Sequence, residues 1–354
     1  MNTTDWVSDR KEHNDIQDLS VFQSKFVDDK IFSLNKYTGE YDPVEKRTGV
    51  YYDNEITNEY KLVNVISDKY KIVNHIELFE QVNEDILKGG ALSFDNVEVI
   101  DTAYEDFRKV HRQVRFLDHE IVLEGTGREE DKLCLCYDQF NSTDSSWRFQ
   151  TFIGAYRSVC QNTQVFGGER FFHIRKKHTS GFSVKEESRK ITNSLEDFGT
   201  ATEDFRAMIK AQVSEEWILD FFKKTVAYKE VSEALKKKKF KEMKDAVDRD
   251  AELEKLTVNY KLLGGLLARW EDEVNNGMDK NSLYTVYNAL TNWSSHVGSI
   301  GQGSNLDSYE NEKGNIIQLT NKGSKDHVTA TRRQSDVIKA INSDLFQSQL
   351  QLVA

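Results

Sequence analysis

Proline and cysteine are scarce in this chain of 354 residues, which contains a single proline, Pro43, and three cysteines. Long proline-rich linkers are therefore excluded, and the loops must be formed by Gly, Asn, Asp and Ser. Cys134 and Cys136 would point to the same face of a strand, but no second pair at metal-ligand spacing accompanies them. We expect Cys134, Cys136 and Cys160 to be buried, reduced thiols rather than metal ligands.

Long apolar runs are absent as well. None approaches the roughly 18 residues that a membrane helix needs. The polar start of the sequence, MNTTDWVSDRKEHND, lacks the apolar core of a signal peptide. The sequence therefore predicts a cytoplasmic protein that does not enter a membrane.

Several catalytic signatures are missing too. The sequence has no G-x-x-x-x-G-K-[ST] phosphate loop, no G-x-S-x-G, no H-E-x-x-H and no G-x-G-x-x-G after a predicted strand. These absences argue against ATP use through a phosphate loop, and we expect no cofactor and no bound metal. An enzyme with an unrecognised site stays open as an alternative.

What the sequence does contain is 38% hydrophobic residues, with 20 Phe and 14 Tyr to fill the core. Short β-rich runs between turns, up to Gln139, predict a meander of antiparallel strands. Apolar residues at three- and four-residue steps after Gly181 predict helices. We expect an α+β fold, with an antiparallel sheet backed by a central helix and a mostly helical C-terminal half. Its parts are an acidic N-terminal arm that is poorly ordered or docked (1–59), the sheet with the central helix (60–181), a helical region (182–298), and a loop with a C-terminal helix (299–354).

The stretch from Ser146 to His178 is the centre of this prediction. Six apolar side chains recur there at helical spacing and predict the buried face of a helix that ends at Gly167-Gly168. They are Phe149, Phe152, Ile153, Tyr156, Val159 and Cys160. A strand and a basic cluster follow. Between residues 145 and 180, six Lys or Arg accompany a single acid, Glu169, in a chain whose net charge is −11.

This positive island has two interpretations, a solvated charge run or a face that meets an anion. A second basic group lies on the predicted strand from Phe107 to Arg115, where Arg108 and Arg112 would share a face. If the two groups form one surface, nine side chains are candidates to contact phosphates: Arg108, Lys109, Arg112, Arg115, Arg148, Arg170, Arg175, Lys176 and Lys177.

Two further segments resemble a known family. The helix prediction includes a run, Tyr156 to Thr163, that resembles the signature R-x-V-C-x-N, and Asn281 to His296 resembles N-T-x-W…N-A-x-T-E-Y…D-H. Both signatures belong to a phage- and plasmid-encoded family catalogued as a domain of unknown function (number 932), and the likeness spans roughly Asn64 to Phe346. The chain departs from the pattern at Asn292-Trp293, where the family has Glu-Tyr, and at Ser295, where it has Asp. The resemblance implies a mobile-element protein located in the host cytoplasm, and by itself it implies no activity.

The predicted order of strands, helix and basic residues more distantly resembles the single-strand annealing proteins of phages (the Red-beta, Erf and Rad-fifty-two type). That resemblance implies side-by-side assembly into a homo-oligomer and ATP-independent binding of single-stranded DNA in a basic groove, where aromatic side chains stack on bases. The main alternative is a structural or host-interaction protein whose helical half docks a partner.

The signature residues themselves keep two interpretations. For Arg157 a helix-surface or buried salt-bridge role and a DNA contact are equal alternatives. For Asn288, Thr291 and His296 a hydrogen-bonded packing contact between helices is the favoured interpretation.

Overall fold

The computed structural model describes residues 7–22, 25–54, 58–89, 92–128, 131–157, 162–165, 172–179, 181–196, 198–232, 246–296, 308–310, 316–318 and 324–353, together with Leu235 and Lys239.

Seven strands of this part of the chain form one antiparallel sheet. They are β1 (Val7–His13), β7 (Val97–Tyr104), β8 (Lys109–Val122), β9 (Lys132–Ser142), β10 (Phe149–Arg157), β11 (Asn162–Val165) and β12 (Phe172–Lys176). The strand order is β1-β7-β8-β9-β10, and both β11 and β12 pair with β10. Each of these pairs is antiparallel, as the short turns between the strands predict.

Helix α1 (His75–Gly89) backs this sheet. Its side chains Leu78, Phe79 and Val82 recur at helical spacing and are buried in one core cluster with Val110 and Val114 of β8. Burying side chains of this size stabilises the fold by roughly 1.5–3 kcal/mol each. The predicted α+β class, with a helix on an antiparallel sheet, is confirmed.

The central helix was assigned to the wrong segment, because β10 is a strand. All nine of its residues are buried, so apolar side chains are needed on both faces. Ile153 packs in the main core, whereas Phe152, one residue earlier, packs in a separate cluster on the other face. A strand buried on both faces shows no clean alternation, and the spacing of its apolar residues matched a helix by coincidence. Val159, Cys160 and Gly167-Gly168 lie outside the described residues.

Strand β8 continues without a break from Lys109 to Val122, beyond the end of the strand predicted from Phe107 to Arg115. The register of its pairing with β9 shifts between Phe116 and Glu120. A bulge of this kind increases the local twist without ending a strand.

Residues before α1 contribute to the sheet and also form two smaller sheets. Strand β1 lies at the edge of the main sheet, beside β7. The strands of the smaller sheets are β2 (Lys25–Asp29), β3 (Phe32–Leu34), β4 (Tyr41–Pro43), β5 (Arg47–Asn54) and β6 (Glu59–Ser67). The three-stranded sheet has the order β2-β5-β6, and the hairpin consists of β3 and β4. Phe26, Val50 and Ile66 attach the three-stranded sheet to the body through a buried cluster that also contacts Phe107.

The chain after Gly181 is mostly helical, as predicted. Ser214 caps α4 by accepting a hydrogen bond from the Trp217 backbone N–H, and α7 is buried from Leu283 to Ser294. No helix in the described ranges is long and apolar enough to cross a membrane. The helices are α2 (Val184–Glu196), α3 (Phe198–Lys210), α4 (Glu215–Lys224), α5 (Ala246–Thr257), α6 (Tyr260–Asn275), α7 (Leu283–Ser295), α8 (Ser324–Ile341) and α9 (Asp344–Gln351), and a two-stranded sheet joins β13 (Ser308–Glu310) to β14 (Ile316–Gln318).

Candidate functional site

The basic group around β8 does not form one surface. Arg108 lies in the turn before the strand and Lys109 is buried at its start, and both form ion pairs with Glu105. Arg112 and Arg115 are three residues apart on the strand, so their side chains leave it on opposite faces. The expectation that Arg108 and Arg112 share a face assumed that both lie on one regular strand, and Arg108 precedes that strand.

Arg112 is fully buried on the face that packs against α1. Its Nε lies 3.3 Å from Asp101 Oδ1, and its Nη2 donates to the backbone oxygens of Ile16 at 2.7 Å and Asp18 at 3.3 Å. The guanidinium also lies over the ring of Phe79. Arg112 thus holds the N-terminal segment on the sheet, and a phosphate cannot reach it in this conformation.

Arg115 lies on the other face and is also neutralised. Its guanidinium carbon is 3.4 Å from the centre of the Tyr156 ring, and it pairs with Glu98 and with the amide of Gln113. Burial raises the pKa of Tyr156 to about 12 and the pKa of Cys134 to about 11. Cys134 and Cys136 are buried free thiols on this face, as expected.

Three of the remaining candidates lie at one end of the sheet. Arg148, Lys176 and Lys177 are exposed. Phe149 pairs with Lys176, and continuing this register by one residue places Arg148 opposite Lys177. Arg175 pairs with Gln150 along the backbone, and Arg170 lies outside the described residues.

Two lysines that the sequence interpretation missed join this end of the sheet. Tyr70 forms an isolated bridge with Thr179, and the Lys71 backbone N–H donates to His178 O at 3.1 Å. Lys69 and Lys71, both exposed, are thereby brought beside Lys177. We name Lys69, Lys71, Arg148, Lys176 and Lys177 the end cluster.

Charge in the end cluster is only weakly compensated within the described residues. Lys176 Nζ lies 3.9 Å from Glu187, whose other cation is Lys190 at 2.9 Å. The remaining four cations have no ion-pair partner among the described side chains. Asp68 is the exposed acid adjacent to the cluster in sequence. The end cluster is therefore a cationic surface in an acidic chain.

A buried, uncharged support lies beneath the end cluster. Tyr70 Oη is 2.7 Å from His178 Nδ1 and donates to Ser142 O at 3.0 Å, and Phe182 packs against the imidazole. Burial lowers the pKa of His178 to about 4, so the ring is neutral at pH 7. The strand end that carries Lys177 is therefore fixed by packing and hydrogen bonds.

A second group of charges surrounds Arg157 in the interior. Arg157 Nε donates to Asp131 Oδ1 at 2.7 Å, and Nη1 donates to Glu273 at 3.2 Å and to Asn288 Oδ1 at 3.1 Å. Arg128 pairs with the same Glu273 at 3.0 Å. The Arg157, Asp131 and Glu273 side chains are at most 2% exposed. We name Arg128, Asp131, Arg157, Glu273 and Asn288 the buried network.

The buried network joins the sheet to α6 and α7. Beside it the backbone of Gly127 approaches Gly277 so closely that a Cβ on Gly127 would lie 2.2 Å from Gly277 O. Two arginines and two carboxylates balance in charge, and desolvated charges of this kind need such partners. The salt-bridge interpretation of Arg157 is the one that the structure shows.

The two signature segments meet in this network through Arg157 and Asn288. The Thr291 hydroxyl donates to Asn288 O at 3.1 Å, and Asn288 Nδ2 donates to Tyr284 O at 2.8 Å. His296 follows α7, where its backbone N–H donates to Asn292 O. These three bonds lie within α7 and do not join it to another helix. Across elements, Asn288 Oδ1 accepts from Arg157 of β10, and His296 O accepts from Arg333 of α8 at 3.3 Å. The expected packing contact between helices is therefore found at His296, whereas Asn288 contacts a strand. Asp131 and Glu273 carry no local motif that could have indicated their role.

No group of three or more His, Cys, Asp or Glu in the described part of the chain is arranged to hold a metal ion. The two charged groups therefore differ in kind. The Arg157, Asp131 and Glu273 side chains of the buried network are at most 2% exposed, whereas the five cations of the end cluster are exposed.

The family model described as "Domain of unknown function (DUF932)" matches residues 63–344. The chain belongs to this family. The match includes the buried network and the whole end cluster, whereas strands β1 to β5 precede it. No curated protein and no solved structure matches the chain.

Proposed function

We propose that this DUF932 protein binds single-stranded DNA at the end cluster and anneals complementary strands without ATP, as a homo-oligomer encoded by a phage or a related mobile element. The observation that carries the proposal is that strand pairing brings three separate segments with exposed cations to one end of the sheet: residues 69–71, Arg148, and Lys176-Lys177.

Charge is the physical basis for such binding. Each Lys or Arg that neutralises a phosphate releases a condensed counterion, so affinity falls with salt at a log–log slope of about −0.7 per contact for single strands. The net charge of −11 does not oppose this binding when cations and acids are segregated on different surfaces. Arg112 and Lys109 are outside the revised surface because they are buried and ion-paired.

The test is the salt dependence of binding to a labelled single-stranded oligonucleotide. The variant Arg148→Ala/Lys176→Ala/Lys177→Ala removes three contacts and should reduce the magnitude of the slope by about 2. The control variant is Arg206→Ala/Lys224→Ala/Lys339→Ala. It removes the same charge from side chains of α3, α4 and α8 that are 57%, 60% and 78% exposed. It should leave the slope unchanged. Equal slopes for the two variants, or no affinity at low salt, would contradict the proposal.

Annealing requires a separate measurement. The protein should accelerate pairing of two complementary oligonucleotides in the absence of ATP, and the end-cluster variant should lose this acceleration. If the protein binds single-stranded DNA but does not accelerate pairing, the DNA-binding part of the proposal stands and the annealing part is wrong.

The surface that we propose for self-association is the edge of the three-stranded sheet. Strand β6 is an edge strand of that sheet, and Tyr60, Leu62 and Val65 on it are 52%, 47% and 41% exposed. An exposed apolar edge strand is a template for pairing with another chain. Light scattering should show an oligomer whose mass falls in Leu62→Lys/Val65→Lys. Val247→Lys, at a position that is 74% exposed on α5, is the control.

A further inference from the structure

A groove of about 520 Å³ lies between α1 and the segment that includes Gln17 and Leu19. Glu77, Glu80 and Glu84 line it from the helix, and all three are exposed. This volume lies within the range of small-molecule sites, roughly 300–1,000 Å³.

The wall opposite the helix is held in place by two hydrogen bonds. Ile16 O accepts from Asn83 Nδ2 at 2.7 Å and from Arg112 Nη2 at 2.7 Å. The groove therefore exists before any ligand binds, and its shape is tied to the core through Arg112.

Asn83 provides an acceptor that no described group satisfies. The residue lines the groove and is 5% exposed, and its Oδ1 is buried without a hydrogen-bond partner. Because the amide group facing a carbonyl oxygen must be the NH₂ donor, the orientation of the Asn83 side chain is fixed and Oδ1 can only accept. Buried polar atoms normally have hydrogen-bond partners, so we expect this oxygen to accept a hydrogen bond from a ligand.

The lining selects the chemistry of that donor. A ligand that matches three carboxylates and an amide oxygen carries positive charge and N–H donors. Leu19 and Leu87 add apolar surface on which a hydrocarbon chain can pack. No described cluster of His, Cys, Asp or Glu is arranged to hold a metal ion. An alkylammonium group, with three donors on an apolar stem, satisfies both kinds of lining.

The spacing of the acids indicates more than one ammonium group. Along a helix that rises about 1.5 Å per residue, Glu80 and Glu84 follow Glu77 by about 4.5 Å and about 10.5 Å. We propose that the groove between α1 and the Gln17–Leu19 segment binds a linear polyamine. Its nitrogens pair with Glu77, Glu80 and Asn83 Oδ1, and its methylenes pack on Leu19 and Leu87. Glu84 already pairs with Lys88 at 2.8 Å and contributes less.

The test is calorimetric titration of the full chain with spermidine, free of nucleic acid and at constant ionic strength. Glu77→Gln/Glu80→Gln should weaken spermidine binding about tenfold, since two exposed pairs are lost and each contributes about threefold, with an upper limit of about fivefold. Glu203→Gln/Glu216→Gln, which removes two exposed acids from α3 and α4, should leave the affinity within about twofold. Both variants should unfold at the same denaturant concentration as the wild-type chain without ligand, which separates ligand loss from misfolding.

Three results would overturn the inference. One is an equal affinity in the two variants. Another is displacement of spermidine by MgCl₂ at the same ionic strength, which indicates diffuse screening. The third is tighter binding of a lysine-containing tripeptide than of spermidine, which would assign the groove to a lysine of a partner protein.

Discussion

The buried network and the end cluster both contain cationic side chains, but these side chains have opposite environments. Arg157 is enclosed by Asp131, Glu273 and Asn288, whereas Arg148 and Lys177 are exposed and have no ion-pair partner in the described part of the chain. This difference shows that the number of cations in a stretch of sequence does not by itself indicate a ligand-binding surface. Burial and the nearest carboxylate decide whether a cation holds the fold together or meets a ligand.

Breaking the buried network should have the largest effect. Arg157→Ala leaves Asp131 and Glu273 buried with Arg128 as their remaining cation, and removing one partner of a buried pair costs about 3–5 kcal/mol of unfolding free energy. We expect the upper part of that range, measured by chemical denaturation. Arg157→Lys keeps the charge but loses the paired contacts to Asp131, so its cost should be intermediate.

The comparison is sharpened by a double replacement. Arg157→Met with Asp131→Asn removes one charge of each sign and should recover part of the loss, because a buried ion pair is often replaceable by uncharged groups. A double variant no more stable than Arg157→Ala would show that the network's role is geometric rather than electrostatic.

Phe152→Ala should cause the next largest loss of unfolding free energy. Phe152 is 1% exposed and contacts the ring of Phe140 edge to face, in a small cluster with Tyr104 and Trp147. Truncating a buried Phe costs about 3–5 kcal/mol, and the lower end applies if this small cluster collapses around the cavity. A cost below about 1 kcal/mol in chemical denaturation would show that the second face of the sheet is loosely packed.

Burial of Phe152, Ile153 and Tyr156 could be predicted from the sequence, but their secondary structure could not. Buried positions in a helix and in a doubly buried strand are both apolar, and only period and length distinguish them. The family signature also indicated that Arg157 and Asn288 matter. It could not indicate that they touch, because 131 residues separate them and no rule of local spacing relates them.

The uncharged support beneath the end cluster should make stability depend on pH. The His178 pKa is about 4 in the folded chain against 6.5 in an exposed histidine. A depressed pKa means that the unfolded chain binds the proton first, so the stabilisation is complete above pH 6.5 and is lost as pH falls towards 4. The expected loss is about 3 kcal/mol across this window.

A replacement isolates this contribution from that of the carboxylates. His178→Asn keeps a group that can hydrogen-bond to Tyr70 and removes the titration. We expect a flatter curve of unfolding free energy against pH between 6.5 and 4 than in the wild-type chain. Curves of identical slope would mean that the imidazole is not buried in solution.

Part of the end cluster was visible in the sequence and part was not. The run Arg175-Lys176-Lys177 is a local signal, and Arg148 stood in the same positive island. Lys69 and Lys71 precede that run by over 100 residues, and they reach the cluster through the bridge between Tyr70 and Thr179 and the hydrogen bond from the Lys71 N–H to His178 O. The strand pairing that made this surface therefore depends on long-range contacts that composition does not reveal.

The smallest effect on stability is expected at the end cluster itself. Arg148→Ala and Lys177→Ala remove exposed side chains that form no ion pair with a described residue, and surface substitutions of this kind change the unfolding free energy by less than about 0.5 kcal/mol. Removing mutually repelling cations can even stabilise the fold slightly.

The same two changes should lower DNA affinity measurably at low salt and little at high salt, because counterion release supplies the binding energy. Paired denaturation and anisotropy measurements on each variant test this separation. If a variant loses both stability and affinity, then Arg148 or Lys177 stabilises the folded structure, as Arg157 does, and is not simply part of a binding surface.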